Sequence, residues 1–254
     1  MALFTDGPVS SIDDLTAQDS QLLSVATTEL IDLSRKLALA QDELGAELKV
    51  LLSKLSYTGQ LFWVAPTTNP GNVAVTTELK LWHTYLALEL VYRDAYNSQL
   101  NDRYAGKRDQ FHQMAQWAYE KLIQIGIGIV TKPVPQAAIP QVTAIPGALA
   151  DGTYYISMAW LNSSGEEGAS AVPAVITTAG SGLQVRPGTP AEAAASWNVY
   201  IGDAPETMVL QNGSPVGTGE VWQQTTAPVT AGKAPGTGQQ PSYLKPVPRV
   251  IQRG

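Results

Sequence analysis

The chain changes character near residue 131, and that change limits what it can build. Before it, large aliphatic residues recur every three or four positions and charges are frequent; after it, Pro, Gly, Thr and Ala dominate and apolar residues alternate. A period near 3.6 puts apolar side chains on one face of a helix, and a period of 2 puts them on one face of a strand. Charge divides at the same point: residues 1–131 carry 10 Lys or Arg and 15 Asp or Glu, and residues 132–254 carry 6 and 7. The expected fold class is α+β multidomain, with an N-terminal helical bundle, a small antiparallel β-sandwich and an extended C-terminal tail. The expected boundaries are 1–130 for the helical domain, 131–149 for a Pro-rich linker, 150–228 for the β domain and 229–254 for the tail.

In the first half, Ala26, Leu30, Leu33, Leu37, Ala40, Leu44, Leu48, Leu51 and Leu55 form one apolar stripe, on one helix or on two in line with a break near 41–45. Ser11 or Asp13 is placed to cap a short entry helix. Residues 57–77 contain Pro66 and Asn69-Pro70-Gly71 without helical period, and read as a loop carrying Phe62 and Trp63. Thr77 then opens a helix to about Asn101, with Tyr85, Leu88, Tyr92, Tyr96 and Leu100 on one face. A second long helix covers about 103–125, and GIGIV at 126–130 reads as a short extended piece.

In the second half, the spacing predicts strands in TYYISMAW and SWNVYIG, with Trp160 and Trp197 facing inward. Shorter strands fit 174–177, 183–185, 208–211 and 220–224, separated by Gly- and Asn-containing turns. The four prolines of 131–149 predict a semi-rigid spacer.

Composition narrows the function. The chain has no cysteine, which excludes disulfides and thiolate metal sites. Of its two histidines, 29 residues apart, His83 has no acid at i+3 or i+4 and His112 has only Asp109 near it, too few ligands for a metal site, so no metal and no cofactor are expected. The adjacent pairs Asp13-Asp14, Asp42-Glu43 and Glu166-Glu167 do not make a convincing acid–base pair, and no nucleophile elbow, phosphate loop or dinucleotide fingerprint is present. No catalytic residues are assigned and no enzyme is expected. A net charge of −6 argues against phosphate neutralisation as the main work, although passive contact with DNA stays compatible with it. No apolar run is long enough for a membrane span and the start lacks a signal-peptide pattern, so cytoplasmic synthesis without a membrane partner is the expectation.

Two surfaces stand out as candidate binding elements. Tyr92 and Tyr96, with Arg103, Lys107 and Arg108 in the run LNDRYAGKRDQF, suit an interface between subunits, since Tyr and Arg are favoured there. The last fourteen residues, PSYLKPVPRVIQRG, hold three prolines and three cations with no acid. At about 3.1 Å per residue they reach about 43 Å.

The stretches IDDLTAQDSQLLSVATTELIDLSRKLALAQDEL and TTELKLWHTYLALELVYRDAYNSQLNDRYAGKRDQFHQMAQWAYEKL, with the GIGIV-TKP exit, resemble the head-to-tail adaptor (head completion, or connector) proteins of tailed bacteriophages over roughly half the chain. GTYYISMAWLNSSGEEGAS and WNVYIGDAPETMVLQ are similar to strands of fibronectin type III or immunoglobulin-like modules appended to phage structural proteins. The first resemblance implies a non-enzymatic virion protein of the neck or tail, assembled in the host cytoplasm. It implies a homo-oligomeric, dodecameric ring between the portal and the tail or nozzle proteins, with DNA passing through its lumen. It also implies a C-terminal tail that docks on the portal, through Tyr243, Leu244, Val247, Val250 and Ile251 as apolar anchors and Lys245, Arg249 and Arg253 as ion-pair donors. The alternative is a carbohydrate- or surface-binding module on a helical stalk, with Trp160, Trp197 or Trp222 as stacking platforms. An envelope hydrolase using Glu166 and Glu167 is a third reading.

Overall fold

In a computed structural model, residues 1–56, 69–99 and 102–245 are described. Helices come first: α1 (Ile12–Gln18), α2 (Leu22–Thr28), α3 (Leu33–Ser56), α4 (Thr77–Gln99) and α5 (Ala105–Ile125). The strands are β1 (Ile127–Ile129), β2 (Gln141–Pro146), β3 (Gly152–Leu161), β4 (Ala174–Thr178), β5 (Ser181–Arg186), β6 (Ser196–Gly202), β7 (Val209–Leu210), β8 (Val216–Gly217), β9 (Trp222–Gln224) and β10 (Ser242–Leu244). All strand pairings are antiparallel.

The chain divides into two compact units, and neither is continuous in sequence. One comprises Met1–Asp6 and Lys132–Gln240, the other Gly7–Thr131 and Pro241–Gly254. The expected boundaries change accordingly. The stretch expected as a linker, 131–149, belongs to the β unit: β2 lies within it, and its Val134, Ala137 and Leu149 are buried in the β core. The residues expected to begin the tail, 229–240, also belong to that unit, where Thr237 bridges Ala169 and Gln239 is buried. Proline spacing could not reveal this, because an edge strand accepts proline where its N–H is not needed, as β2 does at Pro146.

In the helical unit, Ser11 caps α1 by accepting from the Asp14 N–H, while the Asp14 carboxylate accepts from the Ser11 N–H. The apolar stripe of 26–55 is broken at residues 29–32 rather than at 41–45, and α3 runs unbroken through Asp42 and Gly45. The break is a helix end in which Ile31 N–H donates back to the Ala26 carbonyl at 2.8 Å and Leu30 adopts φ 55°. Leu30 is therefore 92% exposed rather than part of the stripe. Downstream, Leu33, Leu37, Ala40, Leu44, Leu48 and Leu51 are buried as the period requires.

In the β unit, a five-stranded sheet has the order β4-β3-β6-β7, with β8 also paired to β6, and a three-stranded sheet has the order β2-β5-β9. Side chains from β3 (Ile156, Met158, Trp160), β6 (Trp197, Val199, Ile201) and β5 (Leu183, Val185) share one core. Trp197 is fully buried, and its indole N–H donates to the Gly217 carbonyl at 2.9 Å. The other face of β3 and β6 is also covered, with Ala159 and Tyr200 packing on Met208. That second cover explains why burial runs unbroken from Ile156 to Leu161 where the sequence alternates.

Leu30 occupies a backbone region that costs an L-residue about 1–2 kcal/mol and glycine very little. Leu30→Gly is expected to raise the stability of the helical unit by about 0.5–1 kcal/mol, the gain being trimmed by the greater freedom of glycine in the unfolded chain. Thermal or urea unfolding of the two proteins measures this.

Candidate functional site

The first candidate element, the tail, begins in a slot rather than at a free end. GIGIV forms β1, whose Ile127 and Ile129 are buried. On one side, the Ala74 N–H donates to the Gly128 carbonyl at 3.0 Å, and Val73 bridges Ile129. On the other, β10 pairs with it in the register Ile127↔Leu244, Gly128↔Tyr243 and Ile129↔Ser242. The two glycines make that approach possible. A Cβ at Gly128 would lie 2.8 Å from Thr76 Cγ2 and 3.1 Å from Pro241 Cβ. At Gly126, φ is 114° and a Cβ would lie 3.0 Å from the Leu244 carbonyl oxygen. Of the tail residues singled out by sequence, Tyr243 and Leu244 are thus in β10, with Tyr243 exposed, and Lys245 comes next, also exposed. Val247, Arg249, Val250, Ile251 and Arg253 lie outside the described residues.

The second candidate element is the junction of α4 and α5. Tyr92 does not lie on a surface: its ring stacks on Phe111 at 5.6 Å between centroids, and its hydroxyl donates to Asp19 Oδ2 at 2.6 Å. Burial would raise the Asp19 pKa, but hydrogen bonds from Tyr92, Lys107 and the Gln21 N–H, with the Lys107 charge, outweigh it and hold the carboxyl below 3.8. Lys107 Nζ sits 3.0 Å from Asp19 Oδ2 and lies over the Phe111 ring. This buried carboxylate was not legible in sequence, because its partners are remote in the chain. Arg108 stacks on Tyr96 at 4.7 Å and pairs with Asp109 at 2.7 Å, while Arg103 lies over Tyr104. Of the five proposed interface residues, Tyr92 is interior and Lys107 is turned to an internal partner; Tyr96, Arg103 and Arg108 are half-buried or exposed.

The histidines separate. His83 is wholly buried between helices, its Nε2–H donating to the Leu37 carbonyl at 3.1 Å, and its Nδ1 has no partner among the described residues. Burial holds its pKa below 6.5. His112 Nδ1 faces Glu89 at 3.2 Å. Among the described residues, no group of three or more His, Asp or Glu side chains is placed to hold a metal ion.

The glutamates of 166–167 hold loops. Glu166 accepts from Asn162 Nδ2 at 2.7 Å and from Gln239 Nε2 at 3.0 Å, and Glu167 accepts from the Tyr200 hydroxyl and from Lys233. Trp160 and Trp197 are buried core residues and cannot serve as platforms for a sugar ring, whereas Trp222 is half-buried against the same core.

Two outcomes test these assignments. Gly126→Ala and Gly128→Ala are expected to lower the stability of the helical unit by about 1–3 kcal/mol each, by backbone strain and by overpacking. Gly106→Ala, in α5 with open space around it, is expected to raise it by about 0.5–1 kcal/mol. Chemical unfolding of the three variants separates these directions. Acid stability has a sign as well. His83, Asp19 and Asp14 all have folded pKa values below their unfolded ones, so each stabilises above the unfolded value and loses that contribution as pH falls. A first loss is expected on falling through about 6.5, from His83, and a second from about 3.8 downward, from the two carboxyls. Asp19→Asn should cost about 2 kcal/mol at neutral pH and diminish the second loss, as read by denaturant midpoints across pH.

No helix among the described residues is long and apolar enough to cross a membrane. No protein-family model matches the chain, and no curated protein matches its sequence.

Proposed function

We propose that this chain is a non-enzymatic structural subunit of a bacteriophage neck, forming an oligomeric adaptor ring between portal and tail, with DNA passing through its lumen. In this reading the helical unit is a bundle that builds the ring, the β unit is a sandwich of the fibronectin or immunoglobulin-like class, and the C-terminal tail docks on the portal. The observation that carries it is the strand slot: β10 pairs with β1 and so ties the start of the tail to the helical unit, and the sequence that follows, 245–254, is basic and free of acids. Ten residues extend about 31 Å, and a pre-stiffened proline segment loses less entropy on docking. Apolar side chains left on the surface of the helical unit, among them Leu23, Leu30, Trp117 and Ile125, suit contacts with neighbouring copies.

Because β10 completes the helical unit, a deletion that tests the tail has to begin after Lys245. Full-length protein and the chain ending at Lys245 are compared as bait in lysate of infected cells. The expected outcome is that a large, ring-forming portal protein is retained by the full chain and lost with the deletion. Retention by both assigns docking to the helical unit, and retention of no virion protein by either removes the connector reading.

A further inference from the structure

In the β unit, Trp197, Val199 and Ile201 of β6 enter the main core, so Asn198 and Tyr200 point to the opposite face of the sheet. The loop after β3 lays Glu167 against them. The Tyr200 hydroxyl donates to Glu167 Oε1, and Asn198 Nδ2 donates to Glu167 Oε2 at 3.4 Å. Residues 229–240 reach the same carboxylate. The Leu210 N–H donates to the Lys233 carbonyl at 2.8 Å, and a Cβ at Gly236 would stand 3.3 Å from Glu167 Oε1. From this segment Lys233 Nζ meets Glu167 Oε2 at 2.5 Å. The lysine side chain is 57% exposed, but the carboxylate side chain it meets is only 9% exposed. Asn198 and Tyr200 are buried beside it.

An amine and a primary amide therefore share one covered carboxylate oxygen. Lys233 Nζ and Asn198 Nδ2 lie within about 6 Å of each other, and rotation within the lysine side chain closes that to the roughly 3–3.5 Å of an attack. The amide is oriented to receive one. A carboxylate only accepts hydrogen bonds, so Asn198 turns its Nδ2 to Glu167 and its Oδ1 away. There Oδ1 accepts from Asn212 Nδ2 at 2.9 Å. Asn212 is buried and is itself fixed: its Oδ1 accepts from the Val199 N–H at 2.8 Å, and its Nδ2 also donates to the Ser214 carbonyl at 2.9 Å. A fixed donor on the Asn198 carbonyl oxygen polarises the amide carbon and stabilises negative charge developing on that oxygen. Amine, proton acceptor, amide and oxyanion donor are thus in one place.

We propose that Lys233 and Asn198 join in an isopeptide bond, with Glu167 moving the protons. Glu167 Oε2 takes a proton from the Lys233 ammonium, and the freed amine attacks Asn198 Cγ to form the new C–N bond. The carboxyl gives its proton to Nδ2 and takes the second one from Nζ. The Cγ–Nδ2 bond then breaks, and ammonia leaves with that proton as ammonium, so Glu167 is again a carboxylate. No oxidant or cofactor enters the balance. The amide fastens residues 229–240 to β6 in a chain that has no cysteine, and reductants do not open it. The inference concerns the β unit alone and does not depend on the connector reading.

Intact mass of the full chain tests it. After storage at neutral pH, the protein is expected to be lighter than its residues require by one ammonia. Trypsin, acting on the unfolded chain, is expected to leave the bond after Lys233 uncut, because an acylated lysine is no longer a cation. Lys233→Arg keeps a cation on Glu167 without a nucleophilic amine, and Glu167→Gln removes the proton carrier; both are expected at full mass. Should Glu167→Gln not fold, Lys233→Arg carries the comparison alone. Full mass in the unsubstituted chain overturns the bond and leaves an ion pair. An ammonia lost equally by Lys233→Arg, or cleavage after Lys233 in the lighter protein, overturns it too, because the loss then arises at another residue.

Discussion

The pairing of β10 with β1 joins the last described residues to the strand that leaves the helices, and the identity of the helical unit depends on it. It is a contact of backbone with backbone, three residues long, admitted because Gly126 and Gly128 present no side chain to the incoming strand. With β10 present, Ile127 and Ile129 are covered and the β1 edge is hydrogen-bonded. Without it, Ile127 and Ile129 would lose that cover and the β1 edge would exchange its strand pairing for hydrogen bonds to water, at about 0.5–1.5 kcal/mol for each bond exchanged. A segment that looks on paper like a free end is thus partly a paired strand.

The same economy governs charge. At the α4–α5 junction, cations that suggest an interface in sequence are engaged within the chain: Lys107 neutralises the buried Asp19, and Arg103 and Arg108 lie over tyrosine rings. An arginine over a ring keeps much of its charge available to solvent, whereas a lysine against a carboxylate that also binds a tyrosine hydroxyl is committed.

Much of the fold was legible. The helical stripe and the alternation of TYYISMAW and SWNVYIG placed α3, α4, α5, β3 and β6, and put Trp160 and Trp197 inside, because periodicity reports burial directly when one face is covered. It failed where burial is decided elsewhere. The break between α2 and α3 came at Leu30, since a leucine at a left-handed helix end carries no signal that a glycine would have carried. The spacer expected at 131–149 proved to hold β2, since prolines mark only the absence of an N–H and not the absence of a neighbour. Of the candidate site residues, Tyr92 was misplaced because an aromatic on a helix face looks the same whether a core or a partner covers it. Asp19, its hydrogen-bond acceptor, was invisible because its partners come from α4 and α5.

The sequence by itself determined the division into helix-forming and strand-forming halves, the lack of cysteine chemistry and the basic, proline-spaced end. These depend on side-chain type and local spacing, which need no knowledge of distant residues. Tertiary structure alone decided that the first residues complete the β unit, that the last described residues complete the helical one, and that Gly126 and Gly128 are the floor of a strand slot. Such facts depend on which remote backbone arrives at a given edge, and neither propensity nor periodicity encodes that arrival.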